Sequence, residues 1–207
     1  MTVLSQVIEQ ARAQSVPELI AVIAAIAYLG FAIRQQIICW FFAAISTAIY
    51  IWLFIEARLY MESVLNLFYL VMAGYGWWVW SGGRDDGAGT PVVIWAWRRH
   101  LTAIVVVVFL SALSGWTLSV YSDAAYPYID SMTTWFAIWA TFLVARKVLE
   151  NWWYWLLIDL ASIFIYWTRD LQLTALLFVI YVIMIPFGLI SWRNSMREHD
   201  DYKLSMQ

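Results

Sequence analysis

Residues 32–40 read Ala-Ile-Arg-Gln-Gln-Ile-Ile-Cys-Trp, and residues 144–152 read Val-Ala-Arg-Lys-Val-Leu-Glu-Asn-Trp. Arg34 and Trp40 return as Arg146 and Trp152, 112 positions later. Around this pair, residues 21–80 and 133–192 match at eleven of sixty positions, including Leu65/Leu177, Tyr69/Tyr181, Met72/Met184, Gly76/Gly188 and Trp80/Trp192. A hydrophobic composition produces some matches by chance. It does not readily align rare Arg, Gly and Trp at one offset. The chain therefore reads as two copies of one three-helix unit, and paired membrane repeats frame a substrate site at their interface.

The class follows from composition. Of 207 residues, 64% are hydrophobic and 13% charged, against about 25% charged in soluble domains. The charges fall in short stretches between long apolar runs, as in a polytopic membrane protein. So many long apolar runs do not fit inside a soluble domain of this size. The net charge of −2 argues against nucleic-acid binding. The single cysteine, Cys39, has no partner for an internal disulfide and reads as packing in an apolar run. Residues 1–16 are polar and weakly helical, without the basic-then-apolar order of a signal peptide.

Seven spans are expected near 17–33, 36–55, 60–80, 101–121, 128–145, 150–168 and 171–192. Each has enough residues to cross about 30 Å of hydrocarbon at about 1.5 Å per residue. Pro17 suits a helix start, and the Gly-, Asp- and Pro-rich run from Ser81 to Pro91 ends the third span. Residues 92–100, with Trp95, Trp97, Arg98 and Arg99, suit the headgroup region. Ser122–Tyr128, with Asp123 and Pro127, is a second break.

Two three-helix units joined directly would point in opposite directions, and one extra helix restores the parallel relation. The span 101–121 has no counterpart and is that helix. The expected fold is an all-α integral membrane protein of 3+1+3 architecture, with parallel repeats in a SWEET-like arrangement. Residues 17–80 form the first repeat, 81–127 the linker with its helix, 128–192 the second repeat and 193–207 a tail. Positive residues set the orientation. Arg12, Arg58 and Arg169 lie on one side. Arg34, Arg84, Arg98, Arg99, Arg146, Lys147, Arg193, Arg197 and Lys203 lie on the other. The positive-inside rule places the N-terminus outside and the C-terminus in the cytoplasm.

Polar residues at mid-span mark the candidate site, because ionisable groups there are costly. Asp159 stands near the middle of its span. It either counters a cationic substrate, carries a proton, pairs with Arg169, or makes a structural hydrogen bond. Asn66 either reads a hydroxyl or amide on a ligand or ties two helices together. Thr47, at the repeat position of Asp159, and Ser46 are small hydroxyls of the kind that usually pack. Trp77, Trp78, Trp80, Trp95, Trp97 and Trp192 lie at span ends and read as interfacial anchors. Trp135 and Trp139 lie inside the fifth span, and Trp152 and Trp155 share a face of the sixth. Such rings can sandwich a planar, cationic group. Tyr69 and Tyr181 are repeat-related and near mid-depth. Gly76, Gly188 and Pro186 suit close packing or bending. His100 and His199 have no metal-ligand spacing, Gly82-Gly83 is a turn rather than a phosphate loop, and no nucleophile is placed with a base. Neither a metal, nor a cofactor, nor a catalytic set is expected.

The run Asp130-Ser131, then Arg146-Lys147-Val148-Leu149-Glu150-Asn151-Trp152, Trp155, Asp159 and Tyr166 resembles the second half of the bacterial PnuC vitamin transporters. So does Leu173-Thr174-Ala175-Leu176-Leu177 continuing to Tyr181, Gly188 and Trp192, and Tyr75-Gly76-Trp77-Trp78 with Trp80 in the first half. The likeness covers most of residues 18–195. The Arg-Lys-x-x-Glu-Asn-Trp run is its specific part. The resemblance implies facilitated uptake of nicotinamide riboside across a bacterial inner membrane, a trimer, and trapping by a cytoplasmic vitamin kinase. Thiamine or riboflavin are the cargo of relatives. On this reading Asn66, Tyr69, Trp139, Asn151, Trp152, Trp155, Asp159 and Tyr181 contact the vitamin. The rival classes are a non-transporting accessory membrane subunit and a membrane enzyme.

Overall fold

The computed structural model describes residues 3–56, 60–82, 90–122, 126–169 and 171–205. Arg58, Arg84 and Asp123, used above for orientation and loop breaks, lie outside them. All regular structure among the described residues is helical: α1 (Val3–Ala13), α2 (Val16–Ile33), α3 (Cys39–Glu56), α4 (Tyr60–Ser81), α5 (Trp97–Tyr121), α6 (Pro127–Ala145), α7 (Asn151–Thr168) and α8 (Gln172–Ser205). Helices α2 to α8 lie where the seven spans were expected. Helices α2, α3, α5 and α8 are long and apolar enough to cross a membrane. Three differences are local. Residues 3–13 form an added helix, whose Gln10 side chain accepts from the Leu173 N–H at the start of α8. Helix α5 starts at Trp97, four residues early, because Ala96 is extended and the helix follows it directly. Helix α8 runs on to Ser205, since nothing after Trp192 breaks it.

Both α2 and α6 end in the same turn. Arg34 (φ −84°, ψ 4°) and Arg146 (φ −89°, ψ 5°) close the helices. Gln35 and Lys147 then enter the left-handed region at φ 56° and 49°. The Gln36 N–H reaches back to the Phe31 carbonyl at 3.0 Å, and the Val148 N–H to the Leu143 carbonyl at 2.9 Å. Such caps usually carry glycine, because a Cβ is strained there. Here the side chains are used: Lys147 Nζ donates to Gln35 Oε1 at 3.4 Å, joining the two turns. The ammonium lies 4.6 Å from the centroid of the Trp80 ring. A parallel bridge ties Val93, before α5, to Val148 in the second turn.

Four tryptophans form the core at this basic end. Trp40 meets Trp80 edge-on at 5.4 Å, and Trp152 meets Trp192 edge-on at 5.4 Å. Trp80 and Trp192 meet each other at 6.2 Å. Trp80 Nε1 donates to the Ala145 carbonyl of α6 at 3.1 Å. Trp192 Nε1 donates to the Ala32 carbonyl of α2 at 2.9 Å. These reciprocal bonds fasten the third helix of each unit to the first helix of the other. Trp80 and Trp192 are thus buried framework at 4% and 0% exposure, whereas interfacial anchoring was expected of them. The indole N–H of each finds a carbonyl inside the protein, and that partner displaces the headgroup region as its setting.

Gly76 and Gly188 make this packing possible. A Cβ at Gly76 would fall inside the Trp40 ring, and one at Gly188 inside the Trp152 ring. Helix α5 packs on α6 by a similar approach, where a Cβ at Gly115 would stand 2.6 Å from Tyr128. Trp135 Nε1 adds a bond to Ser114 Oγ at 3.1 Å.

Two predictions follow from this core. Gly76→Ala and Gly188→Ala should each destabilise by about 1–3 kcal/mol, read as a lower melting temperature in detergent. Gly30→Ala and Gly74→Ala, where nothing lies within 4 Å of the new methyl, should be neutral or slightly stabilising. The second concerns Lys147, whose pKa is pushed down by burial from 10.5 to about 8. Between those two values the unfolded chain holds a proton that the folded chain has shed, so stability rises with pH across that window. The melting temperature of the parent should climb from pH 7.5 to 9.5 relative to Lys147→Met, which lacks this proton; parallel curves would refute the assignment.

Candidate functional site

Helix α7 carries the site's main stripe. Asn151, Trp155, Asp159, Ser162 and Tyr166 recur at four- and three-residue steps, so they share one face within about 80° at 3.6 residues per turn. Asn151 is fully buried, and Asp159 and Ser162 are 3% and 6% exposed. Helix α3 carries the repeat counterpart: Cys39, Ala43, Thr47, Tyr50 and Phe54. The frame is the same but the side chains differ. Alanine stands where the second unit has Trp155, and threonine where it has Asp159. Thr47 Oγ1 donates to the Ala43 carbonyl of its own helix at 2.8 Å. Ser46 Oγ donates to the Ala21 carbonyl at 2.9 Å, so that hydroxyl ties α3 to α2.

Asp159 is the outlier. Its Oδ1 is sealed and has no hydrogen-bond partner. The ion pairs among the described residues, Arg169–Asp130 at 2.9 Å and His100–Glu150 at 3.9 Å, do not involve it. The expectation that Arg169 pairs with Asp159 is thus not met: Arg169 binds Asp130 at the far end of α6. A buried carboxylate without donors is energetically costly, so packing alone gives no reason to keep it. Asn151 has the same character. Its Nδ2 donates to the Val148 carbonyl at 2.7 Å, and its Oδ1 is sealed and unpartnered.

Tyrosines from four helices gather around this stripe. Tyr181 of α8 lies within electrostatic reach of Asp159 and of Tyr50. Tyr28 of α2 lies within reach of Tyr69 and Tyr181, and Tyr69 of α4 within reach of Tyr166. Tyr69, Trp155, Phe136 and Tyr154 pack together on Ala137, Ala140 and Ile158. The structure therefore brings Tyr69, Trp155, Asp159 and Tyr181 to one region, with Asn151 on the same face of α7 about two turns away.

The other expected residues sit differently. Trp152 is 2% exposed and belongs to the tryptophan core. Asn66 is half-buried and donates to the Glu62 carbonyl of its own helix at 2.9 Å. Trp139 packs on Trp95 at 6.0 Å and Phe142 at 5.7 Å, beside the joint with α5. Reading the sequence for single mid-span polar residues missed Tyr28, Tyr50 and Ser162, and left Tyr166 to the family likeness. The signal for three of them was present, because tracing the α7 stripe and its counterpart 112 residues earlier reaches Ser162, Tyr166 and Tyr50. Tyr28 has an alanine, Ala140, as its counterpart and no such signal.

Comparison with known proteins places this arrangement. A family model described as nicotinamide mononucleotide transporter matches residues 15–194. The chain is 24% identical to the nicotinamide riboside transporter PnuC of Escherichia coli strain K12, over 91% of this chain and 89% of that one. It is 25% identical to the riboflavin/roseoflavin transporter RibM of Streptomyces davaonensis, over 59% of each chain. In fold it is similar to a crystal structure of the vitamin B3 transporter PnuC, with a TM-score of 0.71 and 20% identity, covering 95% of this chain and 91% of that one.

The two kinds of residue should respond oppositely to mutation. Trp152→Ala empties a packed core position and should cost about 3–5 kcal/mol. Asp159→Asn replaces a buried carboxyl whose Oδ1 has no partner and should leave the melting temperature unchanged or raise it. Equal losses in both variants would mean that Asp159 holds the fold together.

Proposed function

We propose that this chain, which belongs to the nicotinamide mononucleotide transporter family, carries a B-vitamin, most plausibly by its chemistry nicotinamide riboside, across a bacterial inner membrane by alternating access. The family is one of transporters, and the chain is a multi-pass membrane protein rather than an enzyme. The observation that carries the reading is Asp159, a buried carboxylate with a free oxygen beside aromatic rings. Nicotinamide riboside pairs a cationic aromatic ring with a hydroxyl-rich sugar. Asp159 neutralises the ring charge, and Trp155 offers its face for stacking. Asn151, Asn66, Tyr69 and Tyr181 supply donors and acceptors for the sugar and amide. Ala43 stands at the repeat position of Trp155, so only one of the two units offers a tryptophan there. Trp152 belongs to the tryptophan core beside the stripe, and Trp139 packs on Trp95 and Phe142.

The paired turns and reciprocal tryptophan bonds support seven spans, α2 to α8, in a parallel 3+1+3 arrangement with SWEET-like repeats. On this topology the basic end faces the cytoplasm and the N-terminus lies outside. Downhill entry followed by phosphorylation by a cytoplasmic kinase fits the lack of any ATP-binding element in the sequence. A trimer is the assembly implied by the family likeness.

A second cargo reading has its own support. RibM carries riboflavin or roseoflavin by its name, and thiamine is, like nicotinamide riboside, an aromatic cation. Calorimetric titration of the purified chain with the three vitamins separates them. A site built on Asp159 binds nicotinamide riboside or thiamine and rejects neutral riboflavin, whereas binding of none favours an accessory subunit. In proteoliposomes, Asp159→Asn and Trp155→Ala should each cut nicotinamide riboside uptake at least tenfold, equivalent to about 1.4 kcal/mol. Parent-like uptake by both variants would remove the site assignment. Trp139→Ala should transport like the parent.

A further inference from the structure

Helix α5, the segment before it and Trp139 of α6 border an open groove of about 540 Å³ that the transport reading does not use. Its wall is almost wholly apolar. Ala103, Val106 and Val107 of α5 form one side and Trp139 of α6 the other, while Trp95, Arg98 and Arg99 stand at its basic end. Val107 is buried at the floor, and Val106 is half exposed at the rim. We propose that this groove is a binding site for one anionic phospholipid, its phosphate held by Arg98 and Arg99 and an acyl chain lying along Ala103, Val106 and Val107.

Three observations carry the assignment. The first is length. Arg98 to Val107 spans nine residues of helix, about 14 Å at 1.5 Å per residue. One leaflet of hydrocarbon is about 15 Å deep, half of the roughly 30 Å core. The groove therefore runs from headgroup level to mid-membrane on one side only, which fits a lipid chain.

The second is charge. Arg98 and Arg99 are both exposed, and neither takes part in an ion pair among the described residues. Arg99 is held 5.3 Å over the Trp95 ring, so one guanidinium is fixed at the groove mouth instead of roaming. Two adjacent cations favour a lipid with net negative charge over a zwitterionic one.

The third is location. Basic pockets between membrane helices at the headgroup level are where anionic lipids are recognised. Here the groove borders α5, the helix that has no repeat counterpart. Its occupant would bridge α5 to α6 at the end away from the Gly115–Tyr128 contact. The site would thus brace the joint between the linker helix and the second unit.

The test uses the purified full-length chain in a neutral detergent. It is titrated with phosphatidylglycerol, with phosphatidylcholine of the same acyl chains, and with inorganic phosphate. Melting temperature and lipid retention in native mass spectrometry are followed together. Phosphatidylglycerol should raise the melting temperature saturably and leave one lipid per chain, and the other two probes should do neither. Arg98→Gln with Arg99→Gln should at least halve that rise, and Val106→Trp, which fills the groove from an exposed position, should abolish lipid retention. Equal effects of the two lipids, or a full response in both variants, would overturn the proposal. So would oxidative dimerisation of Val106→Cys in a Cys39→Ser background, since the groove would then face a second copy of the chain.

Discussion

The two indole hydrogen bonds from Trp80 to Ala145 and from Trp192 to Ala32 hold the architecture together. Each crosses from one repeat to the other, and each sits among buried rings, where an unmet N–H would be costly. Their geometry demands that α4 and α8 come close to α3 and α7. That approach is possible because Gly76 and Gly188 leave room for the Trp40 and Trp152 rings. The shared Schellman-type turns then set the two Arg residues and the strained Gln35 and Lys147 at matching places. Glycine, tryptophan and the left-handed turn are one device made twice. This is why they recur at one offset while the apolar residues between them drift.

The device occupies one end of the molecule, and the polar stripe runs away from it. Along α7 the buried groups begin with Asn151 beside the tryptophan core and pass Trp155 and Asp159 toward Tyr166. The framework therefore fixes the two units at the basic end, while the groups with unmet hydrogen-bonding capacity lie beyond it. Stability and chemistry are divided by position along the same helices. The first unit departs most from the second at the middle of the stripe, where Ala43 and Thr47 stand opposite Trp155 and Asp159. A ligand with one charged, flat end and one hydroxylated end requires such asymmetry, and a perfectly duplicated stripe would not orient it.

Much of this was legible in the sequence, for identifiable reasons. Composition and the long apolar runs located α2 to α8, since each is bounded by a charge, glycine or proline break. The repeat offset picked out Arg34/Arg146, Gly76/Gly188 and Trp80/Trp192 before their contacts were seen. What failed to come through was the role of the ring pairs. Trp80 and Trp192 lie near helix ends, where tryptophan commonly meets headgroups, and linear sequence does not reveal that a carbonyl on a distant helix awaits the N–H. Of the alternatives open for Asp159, pairing with Arg169 falls away. The two are ten residues apart on one helix, too far for a side chain to bridge, whereas Asp130 of α6 is brought alongside. Helix α1 was read as a polar stretch because its support comes from Gln10 meeting the start of α8, 163 positions away.

Asp159 shows what makes a candidate site residue stand out in such a sequence. In a soluble protein a lone Asp on a helix says little, because water satisfies it. In a chain with 13% charged residues, nearly all at segment ends, one carboxylate at mid-span has few reasons to persist. The structure removes the commonest of these, since neither an ion pair nor a hydrogen bond within the protein meets its sealed oxygen. That unmet oxygen is what the proposed vitamin site draws on. The same logic separates Asp159 from Lys147. Both are buried ionisable groups, but Lys147 has the Gln35 amide and the Trp80 face, so it is answered within the protein. An answered group belongs to the frame, and the unanswered oxygen of Asp159 belongs to the proposed vitamin site.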